Sequence, residues 1–554
     1  MPTPTDTFTP QPITEIASRL GLQTDEFNSY GPLMGKVRTQ VLERLADKPD
    51  GKLILVTAIS PTSAGEGKTT VTVGLAQTLY SLGKNALSCT REPSLGPVFG
   101  IKGGATGGGK ATLEPSLEIN LHFTGDFHAI TAAHNLLAAM LDNHLHQGNK
   151  LGIDPRRVTW RRTIDMNDRA LRNMVIGLGG RTEGVPRESG FDITPASEIM
   201  AILCLSSDLA DLKERLGRIV VGETFDRKPV TAADLNAHSA MTVLMREAVH
   251  PNLVQNMAGG PALVHGGPFG NIAHGCNSII ATRVGLKLAD YVVTEAGFGT
   301  DLGAEKFFNI KCRRAGLAPS AVVLVATIRA LKLHGGVRPA DLETENTAAL
   351  AAGLANLQKH IENIKKFGLD VVVALNRFPS DTANEMRTVT EFCKAEGVPV
   401  ADTDVFAGGI DGGKALAEEV LNLVEGAKPN TFKLLYPDDM PLKDKIATVA
   451  REIYGAARVN YAPPTTTVLR QLERRGFKHL PICMAKTQSS FSDNPRLMGR
   501  PEGFTITVRE VKLAAGAGFV IPLTGDILTL PGLPAEPAAD GMTIDEAGNV
   551  SGLT

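Results

Sequence analysis

Residues 53–83 read LILVTAISPTSAGEGKTTVTVGLAQTLYSLG. The opening run, Leu53 to Ile59, is apolar throughout and rich in β-formers, as expected of a parallel strand buried on both faces. A turn follows, Ser60 to Thr70, carrying Gly65 and Gly67. The chain then takes up a helical pattern with Val73, Ala76, Leu79 and Tyr80 on one face, stopped at Gly83. A strand, a glycine-bearing turn ending in Gly-Lys-Thr, and a helix together form the context of a phosphate-binding loop. Backbone N–H groups at the start of a helix attract phosphate. Thr62, Ser63, Ala64, Gly65, Glu66, Gly67, Lys68 and Thr69 are therefore the expected ATP contacts. Lys68 would reach the terminal phosphates, and the Thr69 hydroxyl would meet Mg2+. Thr62 stands where the usual pattern has its first glycine.

The rest of the chain bounds this reading. Its 554 residues exceed a single ordinary domain. With 57 basic against 59 acidic residues the net charge is −2, which implies no bulk attraction to nucleic acid or to an anionic membrane. No apolar run is long enough to span a bilayer. The start, Met1 to Thr5, lacks the basic and apolar regions of a signal peptide, so a cytoplasmic location is expected. Cys89, Cys204, Cys276, Cys312, Cys393 and Cys483 are scattered and read as reduced, mostly buried thiols.

In chain order, the Pro/Thr-rich first dozen residues read as loose, and a short helix is expected from Ile13 to Leu20. A basic helix is expected through Lys36, Arg38 and Arg44. Ala86 to Thr90 is the second parallel strand, delivering Arg91 to the sheet edge where ligands bind in open α/β folds. There a planar guanidinium suits a second phosphate or a carboxylate. Gly100 to Lys110 is too glycine-rich for helix or strand. His122, Asp126 and His128 lie close together and read as hydrogen-bonding groups beside the phosphate site. His144 and His146 fall at a helix end. Val175 to Gly180 has the look of a dinucleotide fingerprint but follows a helical pattern, so that reading is rejected. Ser207 to Gly217 is a capped helix.

His265 to Gly275 is a second ligand-type loop, and Tyr291 to Glu295 is an apolar strand ending on an acid. That places Glu295 where nucleotide-hydrolysing folds keep a Mg2+-side carboxylate. Val322 to Thr327 is a further strand. A composition shift near Arg338 to Asn346 marks a domain boundary, followed by a long helix whose face is Leu350, Leu354, Leu357, Ile361 and Ile364. Leu369 to Leu375 presents Asn376-Arg377-Phe378-Pro379, in which Pro379 excludes a guanine-reading loop and Asp381 comes too late for one. Val398 to Asp404 presents Phe406. Both rings are expected in short loops after strands, as cleft platforms or as core. The expected fold is α/β, a phosphate-loop-type parallel-sheet nucleotide domain (1–345) with two smaller α/β domains (346–455 and 456–554).

SPTSAGEGKTT, REPSLGPVFGIKGGA, HGGPFGNIAHGCNS, VATIRALKLHGG, MAKTQSSFSDNP and AAGAGFVIPLTGDI together resemble the formate–tetrahydrofolate ligase family of the single-function bacterial type. The resemblance runs from Tyr30-Gly31 to Pro531-Gly532-Leu533. It implies ATP-dependent ligation of formate to tetrahydrofolate through formyl phosphate, giving 10-formyltetrahydrofolate, ADP and phosphate. By resemblance Lys68 and the loop hold ATP, Arg91 grips formyl phosphate, and Phe298 packs on adenine. Phe378, with Pro379, and Phe406 flank the pterin, with Glu92 and Asp126 as polar partners. The resemblance also implies a monovalent cation (K+ or NH4+) and a homotetramer. Thr106, Lys110, Thr300, Phe406 and Ser489 stand where the family usually has Ala, Tyr, Ala, Trp and Tyr, departures that bear mainly on folate.

Two other classes share the loop. A phosphate-loop ATPase switch would hydrolyse ATP for a macromolecular partner and need no formate. Another carboxylate-activating ligase would turn over with a different acid and ignore folate. In all three, Lys68 neutralises charge moving between phosphates. Lys68→Ala is expected to abolish turnover while the circular dichroism spectrum stays native. A near-normal rate in that variant would place the nucleotide elsewhere.

Overall fold

The computed structural model describes residues 8–102, 104–426, 429–525 and 527–553. The first seven residues of the Pro/Thr-rich opening and Gly103 of the glycine-rich run lie outside them. The core is one 12-stranded sheet. Its strands are β1 (Phe27–Ser29), β2 (Gly35–Val37), β3 (Lys52–Ala58), β4 (Ala86–Thr90), β5 (Gly107–Gly108), β6 (Ala111–Glu114), β7 (Asn252–Asn256), β8 (Pro261–Val264), β9 (Tyr291–Gly299), β10 (Ala321–Ala326), β11 (Val371–Asn376) and β12 (Val400–Thr403). The spatial order is β1-β2-β7-β8-β4-β9-β3-β10-β11-β12, with β6 on β7 and β5 on β6.

From β8 to β12 every neighbouring pair is parallel. At the other edge β1, β2, β7 and β8 pair antiparallel. Parallel strands of one sheet need helical crossovers that cover both faces, which is why β3, β4, β10 and β11 are buried almost end to end. The apolar run at Leu53 to Ile59 is the sequence consequence. β3 lies between β9 and β10. The crossover after β3 leads toward β4 on one side, while β10 and β11 extend the sheet on the other. The crevice at the carboxyl end of β3 is thus the sheet's topological switch point. β11 and β12, from within 346–455, continue this sheet in register.

The helix after the phosphate loop, α1 (Lys68–Ser81), is buried from Val71 through Leu79 rather than on one face. It is covered on its outer side as well, by a helix far away in sequence, and no local periodicity shows that. Three further helices carry the argument: α2 (Asp126–His146), α3 (Ile328–His334) and α4 (Thr347–Lys366). The covering helix is α5 (Val405–Glu425), broken at Gly409, where φ is 57°.

Several expectations need correction. The basic helix through Lys36, Arg38 and Arg44 is instead β2 followed by a single turn, Val41–Arg44. Lys36 is wholly buried, and its Nζ donates to Asp126 Oδ1 at 2.8 Å. A buried ammonium must have its N–H groups hydrogen-bonded, and here a carboxylate from α2, 90 residues downstream, does so together with the His250 carbonyl. The run from Val175 to Gly180, expected to follow a helical pattern, instead begins within a strand, Met174–Ile176, paired with Arg187–Ser189. Part of the glycine-rich run is ordered locally, as a turn of helix at Val98–Lys102 and as β5. The capped helix is present at Leu209–Gly217, its Asp208 accepting from Asp211 N at 2.8 Å. All six cysteines are buried free thiols. No helix among the described residues is long and apolar enough to cross a membrane.

α1 and α5 approach closely at Gly74. A Cβ there would stand 2.6 Å from Val405 Cβ, well inside van der Waals contact. Gly74→Val is therefore expected to destabilise the protein by about 1–3 kcal/mol through overpacking. The check is the urea midpoint, and an unchanged midpoint would mean that the helix pair can separate freely.

Candidate functional site

Parallel pairing sends the carboxyl ends of the strands to one edge, and the candidate residues gather in the loops that leave it. β3 leads into Thr62–Gly67, β4 into Arg91 and Glu92, and β9 carries Glu295 and Phe298. β10 leads into Thr327 and Arg329, β11 into Phe378 and Pro379, and β12 into Phe406. Residues spread over more than 340 positions in sequence thus converge on one crevice.

The phosphate loop ends at Gly67, which caps α1 in the left-handed region (φ 72°). A side chain there would be strained, and its Cβ would meet Asn376 Nδ2 at 2.6 Å. Lys68 and Thr69 form the first turn of α1. The Thr69 hydroxyl donates to Glu295 Oε2 at 2.8 Å, and Glu295 Oε1 accepts from Arg91 Nε at 3.3 Å. Glu295 is buried, so a hydroxyl, a carboxylate and a guanidinium meet beside the loop. Oxygen donors of this kind suit Mg2+, and the residues present fit that ion.

Glu66 fastens the loop from below. Its Oε1 accepts from Thr62 N at 2.7 Å, and its Oε2 accepts from the Thr327 hydroxyl. Its backbone carbonyl accepts from Asn376 Nδ2 at 3.1 Å. Arg329 donates to the Gly65 carbonyl. Thr327, Arg329 and Asn376 escaped assignment in the sequence. Their signal was position, each standing at or just beyond the carboxyl end of a parallel strand.

Phe298 sits at a register shift near the end of β9, where φ is 61°. Its ring lies over Gly270, where a Cβ would come within 3.0 Å of it. The His265–Gly275 loop therefore supports this ring. His265 itself is committed internally, to Ser278 Oγ at 2.6 Å and the Ala248 carbonyl at 2.7 Å. In the HFTGDFH segment Phe123 and Asp126 are buried, while His122 and His128 face solvent. Asp126 receives Lys36 and, at Oδ2, the Asn252 amide at 2.8 Å.

Glu92 is buried near that pair, and its Oε2 has no partner. Burial raises its carboxyl well above the usual range, and the neighbouring Asp126 charge acts in the same direction. The hydroxyls of Thr57, Thr62 and Thr90 and both ring nitrogens of His274 are likewise buried without partners. Burial depresses the His274 imidazole to about 3. Thr57, Thr62, Thr90 and Glu92 lie at or just beyond the ends of β3 and β4, where a polar ligand would satisfy groups that are otherwise costly to bury.

Phe378 is half-buried, with the Arg329 guanidinium 4.0 Å from its ring centroid. Asp381, too late for a guanine-reading role, closes the Phe378–Pro379 turn by accepting from Phe378 N at 2.8 Å. Phe406 is placed differently from the expected loop. It occupies the first turn of α5, and its carbonyl accepts from Lys110 N at 2.8 Å. The helix starts directly after β12 because Asp404 caps it, accepting from Ala407 N. The Phe406 ring is 58% exposed, so it is not a core residue.

A family model described as formate–tetrahydrofolate ligase matches residues 5–554. The curated formate–tetrahydrofolate ligase of Paracoccus denitrificans (strain Pd 1222) is 60% identical over 542 residues, covering 98% of this chain and 97% of that protein.

The Glu92 environment has a consequence for pH. A carboxyl raised in the folded state contributes stability below its ordinary value of 4.5 that is lost as pH rises through the folded value. The Glu92→Gln carboxamide has no such dependence. Unfolding free energies of variant and wild type are expected to coincide near pH ~4 and to diverge in favour of the variant toward pH ~8. Urea titrations across that range test this. A pH-independent difference would mean that Lys36 keeps Glu92 ionised.

Proposed function

The chain belongs to the formate–tetrahydrofolate ligase family and ligates formate to tetrahydrofolate in an ATP-dependent reaction; on that premise we propose that the chemistry runs through formyl phosphate in the crevice at the carboxyl ends of β3, β4 and β9 to β12. The observation that carries this assignment is the convergence there of the phosphate loop, Arg91, Glu295 and two aromatic rings. Formate is a poor electrophile. A formate oxygen attacks the terminal phosphorus of ATP, ADP leaves, and the resulting acyl phosphate is open to an amine. An amine of tetrahydrofolate then attacks the formyl carbon, phosphate departs, and the amine proton passes to solvent or a nearby base.

In this reading Thr62–Thr69 cradle the phosphates with their N–H groups, and Lys68 neutralises charge as the phosphoryl group moves. Phe298 packs on adenine. Thr69 and Glu295 would hold Mg2+, which when bound neutralises phosphate charge. Arg91, kept in place by Glu295, offers its remaining donors to the acyl phosphate. Phe378, beside Pro379, and Phe406 enclose the pterin, with Glu92 and Asp126 as polar partners. A monovalent cation, K+ or NH4+, belongs to the same proposal. Asp126 already has Lys36, so the acid in that region with an unpartnered oxygen is Glu92. A cytoplasmic homotetramer and the division at 345 and 455 rest on the family resemblance and the sequence. ATP consumption measured with formate and tetrahydrofolate each omitted in turn tests the whole scheme. Full consumption without formate would overturn it.

The exposed Phe406 ring supports the folate platform, since an aromatic face open to solvent is available for stacking. Stacking a flat heterocycle on an aromatic ring is worth about 1–3 kcal/mol. Phe406→Ala is expected to raise the apparent KM for tetrahydrofolate several-fold and leave those for ATP and formate almost unchanged. Steady-state kinetics with each substrate varied are the check, and equal weakening of all three would remove Phe406 from the folate site.

A further inference from the structure

Arg329 belongs to neither the phosphate loop nor the aromatic pair, yet it touches both. It lies in the first turn of α3, whose N-cap Thr327 is itself bound to Glu66. One Nη of Arg329 donates to the Gly65 carbonyl, and its Nε lies 3.9 Å from Glu66 Oε2. Its guanidinium plane covers the Phe378 ring at 4.0 Å. We propose that Arg329 is a positioning residue that locks the phosphate loop and the Phe378 ring into one unit, setting the nucleotide cradle and the folate platform together. This rests on the assignment of Phe378 to the folate site.

Two physical consequences follow from the contacts. A trans peptide holds its C=O and N–H on opposite sides, and the peptide after Gly65 is trans. Holding the Gly65 oxygen on Arg329 therefore turns the Glu66 N–H away from Arg329. An aromatic ring has two faces, and a guanidinium on one leaves the other for a flat ligand. The arginine then acts as a backing plate, fixing the ring plane before the pterin arrives. The carboxylate of Glu66 keeps that charge from drifting, since Glu66 is buried and held by Thr62 and Thr327. Asn376, the last residue of β11 and two before Phe378, donates to the Glu66 carbonyl, so the end of β11 is tied to the next peptide of the loop.

Lysine and arginine separate the two roles. A lysine retains a donor for the Gly65 carbonyl but has no plane to lay on the ring. Arg329→Lys is expected to raise the apparent KM for tetrahydrofolate about three- to ten-fold and leave that for ATP within about two-fold. Arg329→Ala is expected to raise both. Because Arg329 acts on folate through Phe378, adding Arg329→Lys to Phe378→Ala is expected to raise the folate KM no further than Phe378→Ala alone. Thermal midpoints of all variants serve as the fold control, and should Arg329→Ala not fold, the lysine variant and the double variant carry the test. An unchanged folate KM in Arg329→Lys, or additive effects in the double variant, would overturn the proposal. If Phe378→Ala itself leaves the folate KM unchanged, the folate assignment of Phe378 fails instead. If Phe378→Ala raises it and the Arg329 variants do not, only the role of Arg329 fails.

Discussion

The parallel pairing of β3 between β9 and β10 is the constraint from which the rest of the molecule follows. A strand flanked in this way has no free edge and no wet face, so its side chains must be apolar and its connections must cross over the sheet. Each crossover returns the chain to the same end. The loops that leave the carboxyl ends are consequently neighbours, whatever their distance in sequence. The phosphate loop, Arg91, Glu295, Arg329, Phe378 and Phe406 share a crevice for this topological reason, not because any local signal draws them together.

The protein buries several charged side chains, and three of them are lysines paired with carboxylates. Lys36 meets Asp126, Lys332 meets Glu385 at 3.0 Å, and Lys486 meets Asp301 at 2.8 Å, each pair almost wholly buried. The desolvation cost of such pairs largely offsets their attraction, so their net contribution to stability is small, while removing one partner costs about 3–5 kcal/mol. Their effect is to fix register between distant segments. Lys332 on α3 is held to the helix that follows the Phe378 loop. Lys486, from the C-terminal segment, is held to Asp301 just beyond β9. These contacts join segments that are far apart in sequence.

The loop itself depends on one side chain. Glu66 binds Thr62 within the loop and Thr327 beyond β10, while its carbonyl takes Asn376 from β11. A glycine-rich loop is free to adopt many backbone states, and that freedom must be removed before its N–H groups can point together. Here the restriction comes from the ends of the two strands that follow β3 across the sheet.

The sequence by itself determined the strand–loop–helix at residues 53–83, the strand ending at Thr90 and the apolar strand bearing Glu295, because buried parallel strands and glycine turns leave local patterns. It also carried the family motifs and with them the reaction. It did not determine that Lys36 lies on a strand, since the carboxylate that permits its burial comes from a distant helix. Nor did it show that Phe406 opens a helix, because the decisive cap at Asp404 competes with a glycine pair that reads as loop. The joining of Arg329 to both Gly65 and Phe378 was decided only in three dimensions. A guanidinium contact over 264 residues leaves no period, spacing or propensity for a sequence to display.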